Sequence, residues 1–93
     1  MEFEWDPDKN DSNEAKHGIS FLDALAVFDD PNVFVESTTK LEHGEFRFKA
    51  VGRIGERHFT IIFTDRPSAR RIISVRRTRP NERRQYDQGK EAG

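Results

Sequence analysis

The sequence contains no cysteine and no long hydrophobic run. Without cysteine the chain has neither disulfides nor a thiol nucleophile, which fits a reducing cytosol. Its start, MEFEWDPDKN, is acidic and lacks an apolar stretch, so we expect no signal peptide. No segment reaches the roughly 18 apolar residues that a membrane span requires. These absences predict a soluble, cytoplasmic protein.

Apolar residues are scarce throughout, since 33% of the chain is hydrophobic and 35% is charged. A chain of 93 residues forms a single domain, 1–93, near the lower limit for a self-sufficient core. Eight phenylalanines partly compensate, because one aromatic ring can bury roughly 150–250 Å². We therefore expect a thin aromatic core and a protein that gains stability from a partner covering part of its surface.

The charges are unevenly distributed, although the formal net charge is only −1. Residues 1–45 carry 12 acidic and 3 basic side chains, a balance of −9. Residues 66–90 carry 9 basic and 2 acidic side chains, a balance of +7. This asymmetry is typical of a polyanion-binding face beside an acidic one. The alternative is a solvated, self-neutralising surface, and charge alone favours neither.

The spacing of apolar residues predicts an α+β fold with the order β-α-α-β-β-β-β-α. A short strand at EFEW precedes a helix that begins after Asp6 and ends at Gly18. A second helix, capped by Ser20, places Phe21, Leu25 and Phe28 on one face and runs to DDP at residues 29–31. Beyond residue 33 the period changes from about 3.6 to 2, and short connections join four strands. The strand HFTIIFT places Phe59, Ile61 and Phe63 on one side. A last helix, introduced by Thr78 or Asn81, reaches about Gln88. We therefore predict a compact antiparallel sheet of about four or five strands, flanked by two N-terminal helices and one C-terminal helix.

The first helix has almost nothing apolar to bury, since Ala15 is its only small apolar residue between Pro7 and His17. One face instead carries polar side chains at i, i+4, i+7 and i+8, namely Lys9, Asn13, Lys16 and His17. Such a helix is either a solvated surface helix or is held by polar contacts or by a function. His17, at its end, could exchange a proton near neutral pH or simply hydrogen-bond the helix terminus.

The sequence has no recognisable metal or cofactor motif. Its three histidines are scattered, and no His-Glu-x-x-His spacing occurs. We assign no function to His43 or His58, and we interpret the acidic DPD and DDP stretches as helix punctuation. Glycine-rich phosphate loops and serine nucleophile motifs are also missing. We therefore expect no metal, no cofactor and no covalent catalysis by the protein.

Arginine outnumbers lysine about two to one and concentrates near the C-terminus. In the strand RRIISVRR, residues 70–77, strict alternation places Arg70, Ile72, Ser74 and Arg76 on one face. Further arginines follow at the strand–helix junction, namely Arg77, Arg79, Arg83 and Arg84. Guanidinium groups bind phosphates bidentately, so the cluster favours phosphate recognition, which Arg47 and Lys49 could extend. The alternative is that Arg83 and Arg84 only pair with Glu82 and Asp87.

From about Phe3 to Tyr86 the chain resembles the BrnT family of type II toxin–antitoxin toxins. The most specific stretches are Trp5-Asp6-Pro7 with Lys9, then Asn13, then Lys16-His17-Gly18, and Ile72-Ile73-Ser74 with Arg76. The sequence departs from the family pattern at Val75, where alanine is common, and at TRPNER, residues 78–83. Pro80 should fix the start of the last helix.

The resemblance implies a fold similar to RelE-type ribonucleases and a toxin that cleaves RNA and halts translation. It also implies a cognate antitoxin of the BrnA type, with a ribbon-helix-helix domain, that neutralises the toxin in a heteromeric complex. This complex is expected to be a dimer of toxin–antitoxin pairs. Operator DNA would be contacted only through the antitoxin.

For a family of this kind we expect a metal-independent endoribonuclease in which the RNA 2′-hydroxyl is the nucleophile. His17 or Lys9 is the expected general base or acid, and Lys16, Arg47 and Arg76 are expected to hold the phosphate. Glu82 and Tyr86 are four residues apart on the last helix and face the same way. They are further candidates for proton transfer or base stacking, and the alternative is that Tyr86 packs against the sheet. Additional RNA contacts are expected from Lys49, Arg77, Arg79 and Arg83. Two alternatives are a non-catalytic module that binds an acidic partner or nucleic acid, and a degenerate toxin that only binds antitoxin.

Overall fold

The described residues form five strands, three α-helices and one 3₁₀ helix. A computed structural model describes residues 1–42 and 44–92, and it describes side chains for residues 1–38 and 44–89. His43 therefore lies outside the described residues. In chain order the elements are β1 (Phe3–Glu4), α1 (Pro7–His17), α2 (Phe21–Ala24), a 3₁₀ helix (Leu25–Asp29), β2 (Phe34–Glu42), β3 (Glu45–Ile54), β4 (Arg57–Asp65), β5 (Arg70–Arg77) and α3 (Pro80–Ala92).

The strands form one sheet in the order β1-β5-β4-β3-β2. Strands β2 to β5 are an antiparallel meander, as the short connections predicted. Strand β1 pairs parallel to β5, with Phe3 opposite Arg70. The α+β prediction is therefore confirmed, but the sheet is mixed rather than antiparallel throughout. The difference arises because helices and the meander separate β1 from β5, so no tight hairpin dictates their direction.

One face of the sheet packs against α2 and the 3₁₀ helix. Phe59, Ile61 and Phe63 of β4 alternate into this core, as predicted. From the helical layer the buried residues are Phe21, Ala24 and Val27. Gly52 of β3 allows this layer to come close, because a Cβ atom there would lie 2.8 Å from the carbonyl oxygen of Val27.

The second helix is shorter than predicted, because α2 ends at Ala24 and continues as a 3₁₀ helix. Its buried residues are spaced by three, whereas the predicted face used Phe21, Leu25 and Phe28. Asp30 then turns the chain, since its carboxylate accepts the backbone N–H groups of Asn32 at 2.9 Å and Arg53 at 2.8 Å. The predicted role of DDP as a helix terminator is confirmed.

Strand β5 contains an irregularity that changes which side chains share a face. Ile62 of β4 pairs with Ser74, but the next residue, Phe63, pairs with Ile72. Ile73 is therefore an extra residue in β5, a β-bulge. As a result Ile72 and Val75 are both in the core. The prediction of strict alternation was wrong here, because it placed Ile72 and Arg76 on one face.

Helix α3 lies against the other face of the sheet, with Glu82 and Tyr86 buried beneath it. It begins at Pro80, and the Glu82 carboxylate accepts the N–H of the preceding residue, Arg79, at 3.0 Å. The prediction that Pro80 fixes the start of the last helix is confirmed, and this start lies between Thr78 and Asn81, the two residues predicted to introduce it. The predicted end near Gln88 is too early, because the helix extends to Ala92. Within the described residues, no helix is both long and apolar enough to cross a bilayer.

Candidate active site between helix α1 and strand β5

Helix α1 is attached to the edge of β5 by one side-chain amide. Strand β1 pairs only with Arg70 and Arg71, which leaves the later part of that edge for α1. The Asn13 amide nitrogen donates to the Val75 carbonyl at 2.9 Å, and the Asn13 amide oxygen accepts the Val75 N–H at 3.2 Å. Asn13 therefore makes both hydrogen bonds that a residue of a neighbouring strand would make.

A second amide fixes the connection between the first two helices, since the Asn10 side-chain oxygen accepts the Phe21 N–H at 2.8 Å. Cap contacts define the ends of α1. The Asp6 carboxylate accepts the Asp8 N–H at 2.9 Å, and Gly18 follows the last turn with φ of 74°. These contacts explain how a helix without an apolar stripe holds its position. The sequence placed Asn13 on the polar face but gave no sign of its partner on β5.

Between α1 and β5 lies a groove of about 360 Å³. Its walls are Lys9, Ser12, Asn13, Lys16 and His17 from α1, and Ile73, Ser74, Val75 and Arg76 from β5. Lys9 and Lys16 are exposed, and His17 is half-buried. None of the described residues that line the groove is acidic. The arrangement suits an anion, because three basic side chains and an imidazole surround one opening.

Arg76 connects this groove to a buried carboxylate. Its two terminal nitrogens donate to the two oxygens of Glu82 at 2.7 and 2.8 Å. The contact is the bidentate geometry in which a guanidinium binds a carboxylate most strongly. Two of the five N–H donors of Arg76 are used in this fork, and a third makes a long contact of 3.4 Å to the Arg77 carbonyl.

Glu82 is 1% exposed and accepts more hydrogen bonds than those from Arg76. The Thr60 hydroxyl donates to it at 3.1 Å, and the Arg79 backbone N–H donates at 3.0 Å. Burial by itself raises the pKa of Glu82, but the hydrogen bonds from Arg76, Arg79 and Thr60 and the charge of Arg76 outweigh it and lower this pKa to about 2. Glu82 is consequently an anion at neutral pH.

Tyr86 is 3% exposed, and its hydroxyl donates to Asp30 at 2.7 Å. Its ring meets that of His58 edge-on, with centroids 4.9 Å apart. Burial, together with the hydrogen bond to the Asp30 carboxylate, raises the pKa of Tyr86 to about 12. Glu82 and Tyr86 share one face of α3, as their spacing predicted. That face is the buried one, and neither residue lines the groove.

The other predicted RNA-binding residues are divided by the fold. Arg47 and Lys49 lie on the face of the sheet that carries Arg76, and the Lys49 ammonium is 3.4 Å from Glu82. Arg77 lies on the opposite face, with its guanidinium 5.6 Å from the centroid of the Phe59 ring.

The remaining candidates are both exposed, with Arg79 just before α3 and Arg83 in its first turn. Arg83 pairs with Asp87 at 3.2 Å, which is one of the ion pairs expected if these arginines only neutralise nearby acidic residues. Glu82 is instead bound by Arg76. The arginines at the strand–helix junction are therefore not a single patch.

His58 is buried, and burial, followed by the charge of Arg83, lowers its pKa, so its ring is neutral near pH 7. Across the part of the chain that the structure describes, no cluster of three or more histidine or acidic side chains is placed to hold a metal ion. The groove between α1 and β5 is thus the place where candidate residues for RNA chemistry meet.

The family model described as ribonuclease toxin, BrnT, of type II toxin–antitoxin system matches residues 5–82. The chain belongs to the BrnT family. Membership identifies this BrnT chain as a ribonuclease toxin and implies a protein antitoxin as its partner. The matched range includes α1, β5 and Glu82, so every described wall of the groove lies within the BrnT domain. Comparison with the curated proteins gave no match.

Proposed function

We propose that this BrnT protein is a metal-independent endoribonuclease and that the groove between α1 and β5 is its active site. One observation carries the proposal. The groove gathers Lys9, Lys16, His17 and Arg76 from two elements joined by Asn13 and Val75, which lie 62 residues apart in the sequence. Four such side chains, without an acidic neighbour in the walls, match the needs of a phosphate that gains negative charge during reaction.

The reaction needs a proton acceptor and a proton donor. The 2′-oxygen of RNA attacks the adjacent phosphorus, its proton passes to a base, and the bond to the 5′-oxygen breaks. An acid protonates the departing 5′-oxygen, so the products are a 2′,3′-cyclic phosphate and a free 5′-hydroxyl. His17 and Lys9 fill the base and acid roles in this proposal, because both line the groove and each carries a side-chain nitrogen of the kind that serves in acid–base catalysis.

Lys16 and Arg76 hold the phosphate and stabilise the crowded transition state. Arg47 and Lys49, on the same sheet face as Arg76, extend the path of the RNA, and the exposed Arg79 lies at its side. Arg77 and Arg83 add long-range attraction only, because the former lies on the opposite face and the latter pairs with Asp87.

Glu82 and Tyr86 transfer no proton to or from the RNA in this proposal. Glu82, with a pKa of about 2, is already ionised and saturated with donors at neutral pH. Tyr86, with a pKa of about 12, holds its proton and donates it in a hydrogen bond to Asp30. Both groups therefore lack the exchangeable proton that general acid–base catalysis requires near pH 7.

The biological setting of the proposal is the cytoplasm, where cleavage of RNA halts translation. The antitoxin that the family implies is proposed to be of the BrnA type, with a ribbon-helix-helix domain, and to cover the groove in a dimer of toxin–antitoxin pairs. Operator DNA is contacted through the antitoxin alone. Electrostatic complementarity supports this arrangement, since a groove without acidic walls attracts an acidic segment as well as RNA.

The test is cleavage of end-labelled RNA by purified protein in EDTA, with analysis of the product ends. We expect cleavage of the RNA to leave 2′,3′-cyclic phosphates. A strand in which 2′-deoxynucleotides replace the ribonucleotides should remain intact. A requirement for divalent metal, or products that end in 5′-phosphates, would contradict the mechanism. RNA that is bound but not cut would favour the non-catalytic module.

A further inference from the structure

Glu82 is the most completely enclosed ionised group in the described part of the chain that the proposed chemistry does not use. We infer that it is a positioning residue, which fixes the Arg76 guanidinium at the groove so that the RNA phosphate meets an ordered cation. This inference rests on the proposed function. It assigns the first turn of α3 to the scaffold of the active site, although no described residue of α3 lines the groove.

The fork between the two side chains restricts Arg76 strongly. Both terminal nitrogens are engaged, at 2.7 and 2.8 Å, with both oxygens of the carboxylate. A free arginine side chain loses rotamer entropy when it is ordered, and ordering it before RNA arrives removes part of that cost from binding and reaction. The donors that remain on the guanidinium are available to a phosphate oxygen.

Glu82 can act as an anchor because it is itself held from several sides. The Arg79 N–H and the Thr60 hydroxyl donate to the same oxygen, and the Thr60 hydroxyl lies 3.0 Å from that of Thr78. These contacts join β4, β5 and the start of α3. An ion pair between two mobile surface side chains contributes little, but here one partner is immobile and enclosed.

A carboxylate beside a phosphate site also has an electrostatic cost. Glu82 neutralises part of the Arg76 charge and repels a nearby phosphate, an effect that Lys49, 3.4 Å from Glu82, offsets only in part. Removing the negative charge should therefore strengthen RNA binding if charge alone matters. If Glu82 positions Arg76, removing the negative charge should instead lower the rate of cleavage, because a guanidinium that is no longer held in place does not meet the transition state.

The test compares wild type with Glu82→Gln, using kcat and KM for RNA. We expect kcat to fall at least tenfold while KM stays the same or decreases. The Glu82→Gln change should add no further loss to Arg76→Ala, because Glu82 acts through Arg76. The matched control is Asp30→Asn, which also replaces a carboxylate bound to backbone N–H groups but lies away from the groove. We expect its kcat to stay within about threefold of wild type.

Two results would overturn the inference. One is a Glu82→Gln enzyme with wild-type kcat, and the other is a loss no larger than that of Asp30→Asn. If wild type itself cuts no RNA, the proposed function fails, and NMR of the arginine side chains decides the inference separately. Hindered rotation of the Arg76 terminal nitrogens in wild type, lost in Glu82→Gln, supports the positioning of Arg76 by Glu82. Free rotation in wild type overturns it.

Discussion

Glu82 and Tyr86 lie four residues apart on α3, and the polar groups of both side chains make hydrogen bonds within the protein. Their spacing correctly predicted a shared helix face, but nothing near them in the sequence shows that the face meets the sheet. The partners that decide their chemistry, Arg76 and Asp30, belong to other elements. A role that depends on such partners follows from the fold and not from the local pattern.

A substitution at Tyr86 separates the structural role from the catalytic one. Tyr86→Phe removes the 2.7 Å hydrogen bond to Asp30 and leaves that carboxylate short of one donor. We expect the free energy of unfolding to fall by about 1–2 kcal/mol, measured by urea denaturation. RNA cleavage per folded molecule should stay within a few-fold of wild type. If the cleavage rate of a folded Tyr86→Phe protein fell a hundredfold, Tyr86 would have a catalytic role.

At the scale of elements, α1 could be predicted from its sequence almost completely. Pro7 and Gly18 bounded it correctly, and its polar face identified four of the five α1 residues that line the groove, all but Ser12. Its position on the sheet could not be predicted, because it depends on the two hydrogen bonds between the Asn13 side chain and the Val75 backbone, which join distant parts of the chain. The bulge at Ile73 was missed for the same reason, since an extra residue appears only when two strands are paired.

Asn13 provides a test of how α1 holds the groove together. Asn13→Ala removes two hydrogen bonds to β5 without changing any charge, and leaves the Val75 backbone groups unpaired. We expect unfolding free energy to fall by about 1–3 kcal/mol. Cleavage of RNA should fall at least tenfold under conditions where the variant is folded, because Lys9, Lys16 and His17 lose their fixed distance to Arg76.

The control for this test is Asn81→Ala, since Asn81 is exposed on α3 and outside the groove. It should match wild type in urea denaturation and in cleavage. An Asn13→Ala protein that is destabilised but cleaves normally would show that the groove does not depend on the hydrogen bonds between Asn13 and Val75.

For the whole molecule, the charge asymmetry of the sequence is only partly a binding face. The fold divides the C-terminal arginines between two sheet faces and α3, and Arg70, Arg76 and Arg83 form internal ion pairs. The basic residues of the groove come from both halves of the chain, including the acidic first half. The charge balance left a polyanion-binding face and a self-neutralising surface equally open, and it did not indicate where the basic groove lies.

Acidification should reveal the buried carboxylate in the stability of the whole domain. The pKa of Glu82 falls from an ordinary 4.5 to about 2 on folding, so its contribution is complete above pH 4.5 and is lost as pH falls toward 2. We expect this group to contribute no more than about 3 kcal/mol to the pH dependence.

The measurement is urea denaturation of wild type and Glu82→Gln between pH 7 and pH 2.5. The variant should be less stable at pH 7, and the difference should shrink on acidification, because only wild type loses the ionised group. A difference that is constant over this range would contradict the low pKa.

The central claim is that RNA is cut in the groove between α1 and β5. The most direct measurement is the rate of RNA cleavage in EDTA by His17→Ala and Arg76→Ala, beside Arg57→Ala, which removes an exposed cation outside the groove. Loss of a proton carrier or a phosphate ligand should lower the rate at least about a hundredfold. We predict that loss for both groove variants, and a rate within about threefold of wild type for Arg57→Ala. Folded His17→Ala and Arg76→Ala proteins that cleave as fast as wild type would contradict the claim.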